Sequence, residues 1–158
     1  MAMIYLTYAL LAGLAIALLY CIYTDVRHRM IYNKVTLPIA LAAPLFWVAT
    51  GNYDVSAIAM HLITGVVVFG FFALFFNMGW MLGGDVKLFS ALALWFTWIE
   101  VIKLIFVASL IGGIVTIAVF ILHKMRRKRG KIAVPYGVAI SLSGLWTIIN
   151  QYLTILVD

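Results

Sequence analysis

The sequence predicts an all-α membrane protein that crosses the bilayer six times. Of its 158 residues 66% are hydrophobic and 10% are charged, whereas a soluble domain carries roughly 25% charged residues. Charges divide the chain into six uncharged runs, and five of these reach or approach the roughly 20 residues that a spanning helix needs. The runs are 1–24, 35–53, 55–84, 88–99, 104–122 and 132–157.

The fourth run is the short one. Its 12 residues would form a helix of only about 18 Å. We therefore expect the fourth span to extend over its flanks, across residues 84–102, with Asp85 and Lys87 at the membrane boundary. The loops are short, so we interpret residues 1–158 as a single membrane-embedded domain.

The basic residues predict the orientation. Ten of the eleven fall in the loops after the first, third and fifth runs, and Lys103 alone falls on the other side. Because basic loops stay in the cytoplasm, both termini should be extracytoplasmic in a multi-pass protein of the inner (cytoplasmic) membrane. The net charge of +6 then indicates contact with anionic lipid headgroups, above all at the loop 123–131, and not with nucleic acid. The ten are Arg27, Arg29, Lys34, Lys87, Lys124, Arg126, Arg127, Lys128, Arg129 and Lys131.

Two acids share the cytoplasmic side with the basic loops. They are Asp25 and Asp85, since Asp54, Glu100 and Asp158 fall on the outer side. Acids at membrane depth are costly and usually functional. Two carboxyl groups that share one proton can activate water and protonate a peptide carbonyl, although Asp25 could instead cap a helix end and Asp85 could pair with Lys87.

Metal and thiol chemistry have little support in the sequence. The chain has no His-Glu-x-x-His stretch, which is the usual zinc-protease pattern. The single cysteine, Cys21, lies inside an apolar run and should pack against a neighbouring helix. We expect no metal and no cofactor.

Several residues near the two acids could shape a site. Gly83 and Gly84 precede Asp85 and allow another chain to approach closely, although small residues also serve helix packing in membranes. Lys87 should reach the headgroups or a substrate. Asn33 ends the polar loop after Asp25, and Pro135 and Tyr136 open the last run, where proline suits a helix start.

Together these pieces resemble the type IV prepilin peptidases, a family of GxGD-type aspartyl proteases, and most of all the short peptidase-only members of tight-adherence (Flp) pilus systems. The family's first Asp precedes Ile-Pro-Asn by six residues, and here Asp25 precedes Ile31-Tyr32-Asn33. Its Gly-x-Gly-Asp-x-Lys motif is similar to Leu82-Gly83-Gly84-Asp85-Val86-Lys87, and its Pro-Tyr-Gly to Pro135-Tyr136-Gly137. Tyr32 and Leu82 depart from the family pattern in residues that set backbone shape.

The resemblance implies that Asp25 and Asp85 are the catalytic pair, and that the substrate is a prepilin or pseudopilin with a short basic leader cut at the cytoplasmic face. Family members that also methylate the new N-terminus carry paired cysteines in a long loop. Here that loop spans about residues 25–34 without cysteine, so no N-methyltransferase activity is expected. The alternatives are another GxGD protease such as a preflagellin peptidase, a small proton-coupled transporter, and a structural subunit of a secretion machine.

Overall fold

The computed structural model describes residues 2–125 and 134–157, the last six of them by their backbone alone. Every regular element in these residues is an α-helix, which confirms the all-α prediction for the described part of the chain. The six helices are α1 (Ala2–His28), α2 (Asn33–Ala49), α3 (Val55–Asn77), α4 (Gly83–Ala93), α5 (Trp98–Met125) and α6 (Tyr136–Val157).

Three of the helices have the length and composition of membrane spans. They are α1, α3 and α5, while α2 is apolar but has only 17 residues. Most of their large apolar side chains point outward and are exposed. An apolar outer surface of this extent is what a lipid-facing protein presents, so the chain is a helical membrane protein.

The expected fourth span over residues 84–102 was wrong in its bounds. Helix α4 ends at Ala93 and α5 begins at Trp98, because the chain starts a new helix at Thr97. The Glu100 carboxylate accepts hydrogen bonds from the backbone N–H of Thr97 at 2.8 Å and from its hydroxyl at 3.0 Å. This is a capping box, which marks a helix N-terminus. Helix α4 alone has 11 residues, or about 16 Å.

Helix α4 lies at the centre of the bundle. It packs against α2, α3, α5 and α6, whereas α1 packs against α2 and α6. Seven of its eleven residues are buried, and the Phe89 ring stacks on Phe72 at 4.3 Å. The Trp47 indole N–H donates to the backbone carbonyl of Leu94 at 2.7 Å, which satisfies a carbonyl at the C-terminal end of α4. The short helix is therefore shielded from lipid by its neighbours.

The helix ends that form the site lie together at one end of the bundle. The end of α1 meets the start of α6, and the connection between α1 and α2 meets the start of α4. Further along, Gly144 of α6 fits between Leu18 of α1 and Leu92 of α4. At the opposite end, the Thr7 hydroxyl donates to the carbonyl of Ala49 at 3.3 Å. Helix α1 therefore runs toward the site, and α4 and α6 run away from it.

Candidate active site

Asp25 lies in the last turn of α1 with only 2% of its surface exposed. Its Oδ2 accepts a hydrogen bond from the backbone N–H of Val138 at 3.0 Å, and the N–H of Gly137 acts on the same carboxylate. Both donors belong to the first turn of α6, where backbone N–H groups have no partner within the helix. The carboxylate of Asp25 thus occupies the place of an N-cap side chain, although it comes from another helix.

Gly137 leaves the space in which the Asp25 carboxyl group sits. A Cβ atom at this position would lie 2.9 Å from both Cγ and Oδ2 of Asp25, and 2.6 Å from Cδ1 of Ile31. Any side chain here would displace one or both neighbours, so the third residue of the Pro-Tyr-Gly stretch must be glycine for Asp25 to keep this position.

Asp85 is the third residue of α4 and is equally buried, with 2% of its surface exposed. The backbone N–H of Leu82, the residue before the helix, acts on its carboxyl group. Gly84 beside it packs against the connection between α1 and α2. A Cβ atom at Gly84 would lie 3.0 Å from both the Cβ atom and the carbonyl oxygen of Ile31.

The two aspartates are near enough that the charge of Asp25 acts on Asp85. Ile31 touches the glycine next to each of them, Gly84 on α4 and Gly137 on α6. The N-termini of α4 and α6 therefore converge on one small region that holds both carboxyl groups. Positive partial charge at a helix N-terminus favours negative charge nearby, so this region is built to hold carboxylates.

Arg29 follows α1 and adds a full positive charge to the site. Its charge acts on Asp25, and its backbone N–H donates to the Asp25 carbonyl at 3.0 Å. Its φ of 56° makes it the one non-glycine residue with positive φ in the described part of the chain. This left-handed conformation, which is uncommon for arginine, turns the chain so that Ile31 enters the space between the two glycines.

Two of the predicted site-shaping residues, Lys87 and Asn33, contact each other. The Lys87 ammonium group donates to Oδ1 of Asn33 at 3.0 Å, and both side chains are exposed. They line one end of an apolar groove of about 520 Å³ between α2, α3 and α4. A Cβ atom at Gly83 would lie 3.4 Å from the Phe76 ring of α3, so the start of α4 lies beside the end of α3.

The predicted residues Pro135 and Tyr136 lie at the start of α6. Pro135 is buried, and the Tyr136 ring would lie 3.7 Å from a Cβ atom at Gly112 of α5. Tyr136 also lines a second groove, of about 570 Å³, which runs between α3, α5 and α6 past Phe89. Phe89 is one helical turn beyond Asp85, so this groove leads toward the aspartates.

Sequence reasoning missed three contributors to the site. Arg29 was interpreted only as part of a topogenic loop, Ile31 only as part of a motif, and the backbone N–H of Val138 was not considered. Only the last had a usable signal, because a helix that starts after Pro135 has no side-chain acceptor of its own and must find one elsewhere. Cys21 packs in the core as predicted, with 1% of its surface exposed.

Part of the predicted lipid-binding loop 123–131 lies outside the described residues, since the structure describes it only to Met125. Within residues 2–125 and 134–157, no three His, Cys, Asp or Glu side chains gather into a group that could hold a metal ion.

The fold and the site together define the class: a helical membrane protein with two buried aspartates at one end of its bundle. Its family follows from comparison with known families. The type IV leader peptidase family matches residues 12–117, more than half of the 158 residues, and the chain belongs to this family. The match confirms the resemblance found in the motifs, and it includes both aspartates but ends before α6. No curated protein and no solved structure matches the chain.

Proposed function

We propose that the chain is an aspartyl endopeptidase that removes the short basic leader of type IV prepilins or prepilin-like proteins. The observation that carries the proposal is the buried pair of Asp25 and Asp85, which lies within the segment matched by the leader peptidase family. A peptidase needs a group that activates water and a group that protonates the carbonyl oxygen. Two adjacent carboxyl groups that share one proton supply both.

The surroundings of the pair suit peptide hydrolysis. The first turn of α6 donates backbone N–H groups to Asp25, and the N–H of Leu82, just before α4, acts on Asp85. Such fixed donors stabilise negative charge that develops during the reaction without having to reorganise. Burial of both carboxyl groups also implies that the substrate or a movement of the Ile31 segment opens the site, because a substrate peptide must reach groups that are 2% exposed.

We further propose six crossings of the inner membrane, with both termini extracytoplasmic and the aspartates at the cytoplasmic face. The end of α1 and the starts of α2 and α4 carry Arg27, Arg29, Lys34 and Lys87 at the site end of the bundle. Lys103 lies instead beside the C-terminal part of α6, at the other end. Basic residues favour the cytoplasm and would there meet anionic headgroups.

The short α4 is compatible with such a crossing. Irregular or short backbone segments are tolerated at membrane depth when protein surrounds them, and α4 has other helices on most of its surface. In the turn at residues 94–97, the side chains of Trp95 and Phe96 are likewise buried. The fourth crossing would thus pass through the inside of the bundle, where the lipid thickness does not fix its length.

Cleavage of a prepilin by the purified protein in detergent tests the proposal. Asp25→Asn and Asp85→Asn should each lower the rate by at least about a hundredfold, because each removes one partner of general acid–base catalysis. Asp54→Asn is the matched control, since the exposed Asp54 makes no side-chain cap hydrogen bond before α3. Cleavage by either site variant at the wild-type rate would refute the aspartyl mechanism.

The same reaction tests the absence of methyl transfer that we propose. With S-adenosylmethionine present, mass spectrometry of the cut pilin should show a free amine at the new N-terminus.

A further inference from the structure

We infer that the first turn of α6 holds Asp25 as the ionised carboxylate, so that Asp25 is the base that takes the proton of water and Asp85 is the acid that donates to the scissile carbonyl. The assignment of these two roles rests on the proposed peptidase function. The underlying claim, that Asp25 carries the negative charge and Asp85 the proton, concerns the resting protein and can be tested without a substrate.

The first support is the set of hydrogen-bond donors around Asp25. Pro135 precedes α6 and has no side-chain acceptor, so the first-turn N–H groups need a partner from outside the helix. The N–H of Val138 donates to Oδ2 of Asp25 at 3.0 Å, and the N–H of Gly137 acts on the same group. Hydrogen bonds donated to a carboxylate favour its ionised form.

The second support is the distribution of charge. Among the residues that the structure describes, Asp25 interacts electrostatically with Arg29, with Asp85 and with the buried thiol of Cys21. Burial disfavours the charge of both carboxyl groups, so their other neighbours decide between them, and Arg29 favours a negative Asp25. The N–H of Leu82 favours a negative Asp85, but the charge that acts on Asp85 is the negative charge of Asp25, which disfavours it. When two carboxyl groups repel each other, the one with more donors and a cation keeps the charge and the other keeps the proton.

With these roles, the protons and bonds balance over one catalytic cycle. Water gives a proton to Asp25 as its oxygen bonds to the carbonyl carbon, and Asp85 gives its proton to the carbonyl oxygen. The resulting diol then collapses. Asp25 passes its proton to the leaving nitrogen as the C–N bond breaks, and Asp85 recovers a proton from one hydroxyl of the diol. Both carboxyl groups return to their starting states, and one water has been consumed.

Gly137 is the positioning residue in this arrangement, since it acts through Asp25. Its missing side chain lets the carboxyl group of Asp25 approach the first turn of α6, because a Cβ atom would lie 2.9 Å from the Asp25 Cγ. Gly144 offers a matched control two turns along the same helix. A Cβ atom there would lie 2.9 Å from a methyl group of Leu18 and 3.3 Å from one of Leu92, so it crowds the core without touching a carboxyl group.

The test is nuclear magnetic resonance of the full-length protein in detergent, with aspartate labelled with ¹³C at its side-chain carboxyl group. The chain has four aspartates to assign by single replacement with Asn, namely Asp25, Asp54, Asp85 and Asp158. At neutral pH, Asp25 should give the signal of a carboxylate and Asp85 that of a protonated carboxyl group. A protonated Asp25, or two ionised carboxyl groups, would overturn the inference.

Gly137→Ala should raise the pH at which the Asp25 signal titrates by about one to two pH units, which corresponds to loss of a hydrogen bond to a charged group. In cleavage assays the same variant should lose about tenfold to a hundredfold in kcat with KM little changed. Gly144→Ala should leave the Asp25 titration where it is in the wild type, whatever stability it loses. Equal titration of Asp25 in Gly137→Ala and the wild type would refute the positioning role. The titrations stand without any cleavage, so failure of the peptidase proposal would be seen separately, as absence of product.

Discussion

Replacing Gly84 by alanine should damage the site far more than the same change at its neighbour Gly83. At Gly84 the added Cβ would lie 3.0 Å from the carbonyl oxygen and from the Cβ atom of Ile31, and 3.4 Å from its nitrogen. These are atoms at or next to the backbone of the segment joining α1 and α2, and they can yield only if the segment moves. Movement of this segment changes the packing between Asp85 and Asp25.

The size of the effect follows from the overlap. Carbon atoms at optimal contact are about 3.5–4.0 Å apart, so the segment must retreat by a few tenths of an ångström. Added methyl groups in well-packed sites cost about 1–3 kcal/mol. If that free energy is needed to restore the active arrangement, kcat/KM for prepilin cleavage should fall by about fivefold to a hundredfold.

Gly83→Ala is the control because it differs by one residue in the same helical turn. Its Cβ would meet only the Phe76 ring, at 3.4 Å, which is an ordinary contact with an exposed side chain of α3. Thermal unfolding of both variants in detergent should show intact protein, and the initial rates of leader cleavage should separate them. Equal losses of activity would show that tight packing of Ile31 on α4 does not matter to the site.

Two further predictions concern stability and topology. Trp47→Phe removes the indole donor of the 2.7 Å hydrogen bond to the Leu94 carbonyl and should lower the free energy of unfolding by about 1–3 kcal/mol. The control Trp146→Phe, at a half-exposed position of α6, should leave Tm nearly unchanged, and equal shifts in Tm would contradict a structural role for this bond. A reporter fused after Asp158 should be extracytoplasmic and one inserted within residues 126–131 cytoplasmic, and a cytoplasmic reporter at the C-terminus would rule out six crossings.

Charge along the sequence was enough to single out Asp25 and Asp85 as candidates, because the few charges of a membrane protein lie mostly near helix ends. The bounds of α4 were harder to predict from the sequence. Hydropathy suggested extending the short run to reach a full span, yet the chain contains a capping box at Thr97 and Glu100. A polar cap fixed the start of α5 more strongly than the length of the bilayer did, because the preceding turn is buried in protein rather than in lipid.

The remaining features of the site depend on contacts between residues far apart in the sequence. The hydrogen bond from Val138 to Asp25 joins residues 113 positions apart, and its donor is a backbone group that every residue except proline possesses. The residue type does not identify such a donor, and the only sequence signal for it is that Pro135, before α6, has no side-chain acceptor. The position of Ile31 depends likewise on the left-handed conformation of Arg29, which arginine rarely adopts and which its sequence context did not indicate.

The direction in which each helix runs explains why α6 is needed beside Asp25. The last turn of α1 exposes carbonyl groups, and this negative helix end disfavours a carboxylate, yet Asp25 lies in that turn. Asp85, by contrast, lies in the first turn of α4, where the helix itself favours negative charge. Left to their own helices, Asp85 would hold the charge and Asp25 the proton. The N–H groups of α6 and the charge of Arg29 act in the opposite direction, on Asp25. Gly137, which admits Asp25 to the start of α6, is therefore the residue on which the order of protonation depends.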